Sequence, residues 1–273
     1  MPNADSSPIS NWIKLDDVGV SFERGQLAVE SLNLACDQGE FVSIVGPSGC
    51  GKSTVLRLIA DLQKPTTGTV HRGWDDDGTN RIGFVFQQPN LLPWRNVLDN
   101  IAIPLELRGD SKTSRTSAAR QARETVGLAA DDEKKLPRML SGGMQMRVSV
   151  ARALVTQPKI MLMDEPFAAV DDLLRSRLNE ELIALWQQQG WTTVFVTHHV
   201  HEAVFLSQRV LIMSPGPGKI VDDVKIDLPY PRPAGVRGSA EFAAITHDVM
   251  QRLHNSSETP QPGQAIRSRR NSK

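Results

Sequence analysis

Residues Gly46-Pro47-Ser48-Gly49-Cys50-Gly51-Lys52-Ser53-Thr54 constrain this chain more than any other stretch. They fit the spacing G-x-x-x-x-G-K-[ST]. Before them runs Glu40-Phe41-Val42-Ser43-Ile44-Val45, apolar enough for a buried strand. After them Ser53 to Leu62 carries Leu56, Ile59 and Ala60 at helical spacing. A strand that feeds a glycine-rich turn and then a helix lets successive backbone N–H groups point inward. The helix N-terminus adds partial positive charge, and the product is a cradle for phosphate. In such a cradle Lys52 reaches the outer phosphates of a nucleotide, the Ser53 hydroxyl ligates Mg²⁺ and Thr54 adds a phosphate contact.

A second feature fits the first. Ile160-Met161-Leu162-Met163-Asp164-Glu165 is an apolar strand ending in two carboxylates. Alternation along a strand sends neighbouring side chains different ways, so the two acids need not share a role. Asp164 can hold the Mg²⁺ shell while Glu165 faces the terminal phosphate and polarises a water. Further short apolar runs, Ile82 to Phe86, Thr192 to Thr197 and Val210 to Met213, read as strands alternating with helical stretches. That rhythm predicts an α/β fold with a mostly parallel sheet, ligands lying at the carboxyl ends of its strands. Between about 88 and 155 the strand signal stops. Asn96 to Leu107, Thr113 to Val126 and Met144 to Leu154 read as helices of an inserted lobe.

At 273 residues the chain has room for one large domain of two lobes. Residues 1–11 read as a disordered leader. Past about Pro229 the composition turns to proline, arginine and glycine, followed by an amphipathic stretch at Ala240 to Leu253 and a basic tail. Lysine plus arginine equals aspartate plus glutamate, 31 each, which offers nucleic acid no long-range attraction. Two cysteines, Cys36 and Cys50, suit a reducing compartment better than a disulfide framework. No apolar run approaches the ~20 residues a membrane helix needs, so any contact with a bilayer is expected to come through another protein. The acidic runs Asp75-Asp76-Asp77 and Asp131-Asp132-Glu133 read as solvated faces. His198, His199 and His201 invite a metal reading, but no acidic or cysteine partner at a zinc spacing accompanies them.

Leu140-Ser141-Gly142-Gly143-Met144-Gln145 resembles the signature of the ATP-binding cassette family. The resemblance covers about Trp12 to Pro229. It implies a P-loop NTPase with a RecA-like mostly parallel sheet, an antiparallel β subdomain and an inserted α-helical lobe. The cassette domain is placed at 12–230, with 231–273 as a C-terminal extension and tail. Ser141, Gly142 and Gly143 open a helix and make a second helix-terminus anion site. In the family's arrangement two subunits pack head to tail, each signature closing over the ATP held by its partner's loop. The resemblance also implies roles for Gln87 at the Mg²⁺ and the attacking water, Asp171 at the subunit interface, His198 as the switch histidine, and Phe22 as the aromatic that stacks on adenine. The cofactors implied are ATP and Mg²⁺. Three positions depart from the usual pattern: His199 where aspartate is common, Met144 for glutamine in the signature, and Asp61 for glycine after the first helix.

Phe86-Gln87-Gln88-Pro89-Asn90-Leu91-Leu92-Pro93-Trp94-Arg95-Asn96-Val97 and Met163-Asp164-Glu165-Pro166-Phe167-Ala168-Ala169 resemble the nitrate, taurine and aliphatic-sulfonate importer branch. Ser214-Pro215-Gly216-Pro217-Gly218 and Leu228-Pro229-Tyr230-Pro231-Arg232-Pro233 extend that likeness. It implies a homodimer that energises two transmembrane permease subunits, fed by a periplasmic solute-binding protein, on the cytoplasmic side of the inner membrane, with an aliphatic sulfonate or taurine favoured over nitrate. Leu91, Leu92 and Trp94 are either core residues of the lobe or a docking surface for the permease. A soluble cassette ATPase acting on DNA or ribosomes is the other class; its usual long coiled-coil insertion or tandem cassettes are missing here.

Overall fold

The computed structural model describes residues 11–22, 25–73 and 82–258. Two sheets form the body. The larger has six strands in the order β5-β6-β7-β3-β8-β9: β3 (Phe41–Val45), β5 (Ile82–Val85), β6 (Ile160–Asp164), β7 (Thr192–Val196), β8 (Arg209–Met213) and β9 (Ile220–Lys225). The first five are parallel, and β9 pairs antiparallel with β8. Strands β3 and β7 are buried at every position. Side chains of a fully buried parallel strand must be apolar or hydrogen-bonded on both faces, which is why these stretches read as continuous rather than alternating runs.

One face is covered by the smaller antiparallel sheet, ordered β2-β1-β4: β1 (Asn11–Ser21), β2 (Leu27–Asp37) and β4 (Thr67–Arg72). Its inward residues Ile13, Leu15, Leu32 and Leu34 join Val42, Ile44, Leu56 and Leu58 in one core. None of these strands carries an unbroken period of two. The β1–β2 register shifts between Leu15 and Val18, and Asp17 and Ser31 adopt positive φ of 48° and 45°. Such bulges move the apolar set out of phase and hide the strands from a simple periodicity reading.

The second core lies on the opposite face, where Phe41, Phe195 and Phe205 meet the helices. Phe41 and Trp186 pack edge to face at 5.7 Å, and the Trp186 indole donates to Trp191 O at 2.9 Å. The helices are α1 (Lys52–Ile59), α2 (Val97–Leu107), α3 (Lys112–Thr125), α4 (Gly142–Leu154), α5 (Asp172–Gln189), α6 (Val200–Leu206) and α7 (Ala240–Glu258). Helices α2, α3 and α4 pack together as a lobe. Asn96, Ser111 and Ser141 cap them, each accepting a backbone N–H two or three residues into the helix. The buried Asn100 side chain bonds Leu92, Arg95 and Asn96 and so fixes the loop that precedes the lobe.

The acidic run at 131–133 is not a solvated face. Asp132 is buried, bonded to the Ala129 N–H and paired with Lys135 at 2.7 Å, while Glu133 faces Arg120 and Arg123. A carboxylate that caps a turn and meets a lysine three residues on can be buried cheaply, and a count of charges does not reveal it. The run at 75–77, residues 1–10 of the leader and the basic tail fall outside the described residues. Asn11, placed in the leader by sequence, opens β1. The chain past 230 stays on the body: Arg232, Phe242 and Val249 are buried. Among the described residues no helix is long and apolar enough to cross a membrane.

Candidate functional site

The loop between β3 and α1 curls around its own glycines. Gly51 has φ 101°, and a Cβ there would lie 2.6 Å from Val29 Cγ1 and 2.8 Å from Ala28 O, so both backbone and neighbours require glycine. A Cβ at Gly46 would crowd Cys50 Sγ at 2.9 Å. The β8–β9 turn closes over the loop. Gly218 exchanges backbone bonds with Ala28 and Glu30, and its Cα faces Cys50 O so closely that a Cβ would stand 1.9 Å away. Pro47 and Ser48 form the outer lip, and Thr54 and Cys50 are buried beneath it. Burial pushes the Cys50 thiol up, keeping it protonated at neutral pH.

Lys52 is only 5% exposed. Its ammonium donates to Gly46 O and Pro47 O, both at 2.9 Å, and lies 3.9 Å from Glu165 Oε1. The Ser53 hydroxyl donates to Asp164 Oδ1 at 3.0 Å, joining the start of α1 to the end of β6. Burial raises the Asp164 pKa, and the Ser53 bond opposes this. A half-buried carboxylate and a hydroxyl converge here, and among the described residues no lysine or arginine is bonded to that carboxylate. An all-oxygen pair of this kind suits a hard cation such as Mg²⁺, which keeps several waters and takes few protein ligands.

Glu165 breaks the strand. Its φ is 46°, a left-handed conformation that costs a non-glycine residue of order 1 kcal/mol or more, and its N–H is held by Val196 O at 2.9 Å. The turn separates the two acids: Asp164 faces Ser53, whereas Glu165 Oε2 meets His198 Nδ1 at 2.9 Å. His198 leaves the end of β7. The Thr197 hydroxyl behind it accepts the His199 N–H at 3.0 Å and donates to the buried Glu202. The His198 and His199 rings lie 4.0 Å apart, and His201 sits by Phe242 instead, so the three histidines do not converge.

A cleft of about 900 Å³ opens over Lys52, Ser53 and Glu165. Its walls include Phe22, Ser48, Gly49, Gly51, Lys52, Ser53, Thr54, Gln87 and Glu165. Phe22 and Gln87 stand exposed on its rim. Arg57, Leu27, Ala28, Gly216 and Pro217 also line it and were not singled out as site residues by sequence. Alternating glycine and proline at 214–218 was the available signal, since that turn must follow the loop closely.

Ser141, Gly142, Gly143 and Asp171 lie elsewhere and do not line this cleft. Ser141 is exposed as the cap of α4, and a Cβ on Gly142 would meet nothing within 4 Å. A Cβ on Gly143 would approach Leu174 Cδ2 to 2.8 Å, so glycine lets the start of α4 pack beside the start of α5, which Asp171 caps. One chain therefore presents two separate phosphate-competent surfaces: a deep one at Lys52 and an open helix terminus at Ser141.

The model of the ABC transporter family matches residues 29–168. The aliphatic sulfonates import ATP-binding protein SsuB of Rhodopseudomonas palustris is 41% identical over 255 residues, 93% of this chain and 88% of that protein. The taurine import ATP-binding protein TauB of Escherichia coli is 38% identical over 242 residues, 86% of this chain and 94% of that protein. Among solved structures, the dimeric post-hydrolysis state of the ATP-binding cassette MJ0796, bound to ADP and Pi, superposes with a TM-score of 0.69 at 35% identity, covering 80% of this chain and all of that one.

Proposed function

This chain belongs to the ABC transporter family as an ATP-hydrolysing importer subunit, and from that premise we propose that two copies drive the uptake of an aliphatic sulfonate or taurine. The observation that carries the paired arrangement is the separation just described. Lys52, Ser53, Glu165, Gln87 and Phe22 line one cleft, with Asp164 tied to Ser53, while Ser141 is exposed and Gly142 has open space around it at a separate helix N-terminus. A second copy turned head to tail supplies the missing wall.

In this reading Phe22 stacks on adenine, and the loop N–H groups with Lys52 and Thr54 hold the phosphates. Ser53, Asp164 and Gln87 would hold Mg²⁺, whose charge neutralises the phosphate oxygens when bound. Glu165 accepts a hydrogen bond from the attacking water and orients it in line with the terminal phosphorus; the water oxygen bonds to phosphorus as the bond to the ADP oxygen breaks, and the proton the water loses passes to the Glu165 carboxylate. His198 fixes Glu165 through the 2.9 Å contact. Ser141 and Asp171 complete the pocket from the partner, and closure excludes water, which strengthens each charged contact.

Phe86, 39% exposed, lines a groove with Phe84, Ile103, Pro104 and Arg152, and Trp94, further along the same segment, is 72% exposed. Leu91 instead packs on the core. The exposed aromatics support a permease contact on this face, which would carry the motion of the Gln87 segment to the membrane. The partners are then two permease subunits and a periplasmic solute-binding protein, with this chain on the cytoplasmic side of the inner membrane. The likeness to SsuB and TauB supports the solute class. Growth of a strain lacking this chain tests it: failure on taurine or alkanesulfonate as the sole sulfur source, with normal growth on sulfate, is expected. Normal growth on sulfonates with failure on nitrate as the sole nitrogen source would transfer the assignment to nitrate.

A further inference from the structure

Arg232 is 3% exposed, and among the described residues every hydrogen bond it makes goes to backbone carbonyls. Nη1 donates to Val204, Phe205 and Ser207 O, each at 2.9 Å, while Nε and Nη2 donate to Leu228 O. The Tyr230 hydroxyl takes the remaining carbonyl of the series, Leu206 O, at 2.7 Å, and the guanidinium lies 4.1 Å over the Tyr230 ring. Together the two side chains hold the carbonyls of four successive residues, 204 to 207, at the C-terminal end of α6. A cation at that end is favoured by the helix dipole, but burying it without a carboxylate costs desolvation that a glycine cap would avoid.

The other end of α6 enters the candidate site. At ~1.5 Å per residue this seven-residue helix is a rod of roughly 10 Å, too short to absorb strain by bending. Glu202 in its first turn accepts the Thr197 hydroxyl, Thr197 accepts the His199 N–H, and His198 between them meets Glu165. Arg237 adds a lateral tie, stacking on Phe205 at 3.7 Å while bonding Glu180 of α5.

We infer that the Tyr230–Arg232 clamp is a positioning device for hydrolysis, fixing the axial setting of α6 so that His198 stays on Glu165. The inference rests on the reading of His198 and Glu165 as the hydrolytic pair. Arg232 touches no reacting atom; it acts through the helix. A displacement of about 1 Å in a reacting geometry can cost up to a hundredfold in rate, so partial loosening of α6 is expected to lower kcat on the order of tenfold.

The test uses the full chain with Arg232→Met, Arg232→Lys and Tyr230→Phe, assayed at a temperature well below each variant's Tm. Arg232→Met is expected to lower kcat about tenfold with KM for ATP within about twofold, since the phosphate loop is untouched. Arg232→Lys should recover part of the loss, and Tyr230→Phe, which deletes one hydroxyl, should show a smaller loss in the same direction and serves if Arg232→Met does not fold. Single-turnover hydrolysis is then measured in the His198→Ala background, where Arg232→Met or Tyr230→Phe should cause no further loss. A kcat unchanged in folded variants, or an equal fold-loss with and without His198, would overturn the clamp. If His198→Ala alone keeps full kcat, the hydrolytic reading of that histidine falls, and the clamp with it; if His198→Ala is impaired and the clamp variants are not, only the clamp falls.

Discussion

Replacing Lys52 by methionine isolates the ammonium group, because methionine keeps a flexible apolar stem in the same buried channel. The magnitude follows from an exchange of partners. Lys52 already donates to Gly46 O and Pro47 O at 2.9 Å each, so a nucleotide must win the ammonium from two carbonyls rather than from water. Hydrogen bonds between ionised donors and neutral acceptors contribute about 1.5 kcal/mol at the lower end, and bonds between two ionised partners about 3 kcal/mol. Two phosphate bonds gained against two carbonyl bonds given up leave a net of about 3 kcal/mol. That corresponds to roughly 150-fold weaker ATP binding in the variant. Coulomb attraction of about 4 kcal/mol for unit charges 4 Å apart at an effective dielectric of 20 sets a scale consistent with that figure.

Titration calorimetry with ATP, ADP and AMP at one ionic strength separates this account from a general collapse of the loop. AMP has neither outer phosphate, so its affinity should stay within about threefold of the unmodified protein's, while ADP falls between the two. Equal losses for ATP and AMP would mean that methionine deformed the glycine turn itself. ATP binding within threefold of normal would mean that the ammonium never leaves Gly46 and Pro47, and the phosphate role of Lys52 would be wrong.

Glu165→Gln keeps the shape of the side chain and removes its charge, so hydrolysis measured as phosphate release should fall 100-fold or more while ATP affinity holds or rises; normal turnover would remove the proposed base. Ser141→Glu should leave α4 intact, since a carboxylate suits a helix N-terminus. It should also oppose a partner's phosphate: ATP still binds, yet hydrolysis per subunit drops at least about tenfold and ceases to rise with protein concentration. Burial, then the proximity of His198 and Arg175, holds His199 below the usual histidine pKa. The unfolded chain therefore binds a proton near pH 6.5 that the native state refuses. Stability is full above that pH and declines below it until the folded pKa is reached. His199→Asn should flatten the acid limb of the Tm profile measured by calorimetry; Glu202, pushed up by burial, titrates in the opposite sense and is common to both proteins. Superimposable profiles would exclude His199 as the source.

The parts of the site that were legible in sequence are those whose chemistry is contiguous. Gly46 to Thr54 carry their own geometry, because a turn that aims N–H groups at phosphate needs glycine where φ is positive or neighbours crowd. Asp164 and Glu165 could be assigned separate roles from strand alternation alone, although the actual separation is larger, since Glu165 leaves the strand through a positive φ. The antiparallel sheet came only through family resemblance, its period broken by bulges at Asp17 and Ser31. Helices α5 and α6 escaped the periodicity reading. In α5 the buried stripe Leu178, Leu182, Ile183 and Trp186 is blurred by Leu173, which is exposed, and by half-buried Leu174 and Leu185, while α6 has fewer than two full turns.

Asp132 and Arg232 show where such reading stops. Both are charged residues in stretches that look solvated, and both are buried because their partners are main-chain atoms as much as side chains. A carboxylate that recognises a lysine leaves two marks in a sequence, one at each position. A guanidinium that recognises carbonyls leaves one, since every residue except the donor supplies the same oxygen. The carbonyls that Arg232 takes at 204 to 207 belong to valine, phenylalanine and serine, none of which signals an arginine. For the same reason the contact tolerates change in the residues of α6 while remaining sensitive to Arg232 itself. Substitutions within Val204 to Ser207 that preserve packing should leave the clamp intact, whereas loss of the one guanidinium removes all of its carbonyl bonds together. The link from the C-terminal segment to His198 is thus a property of backbone geometry, and only the folded chain displays it.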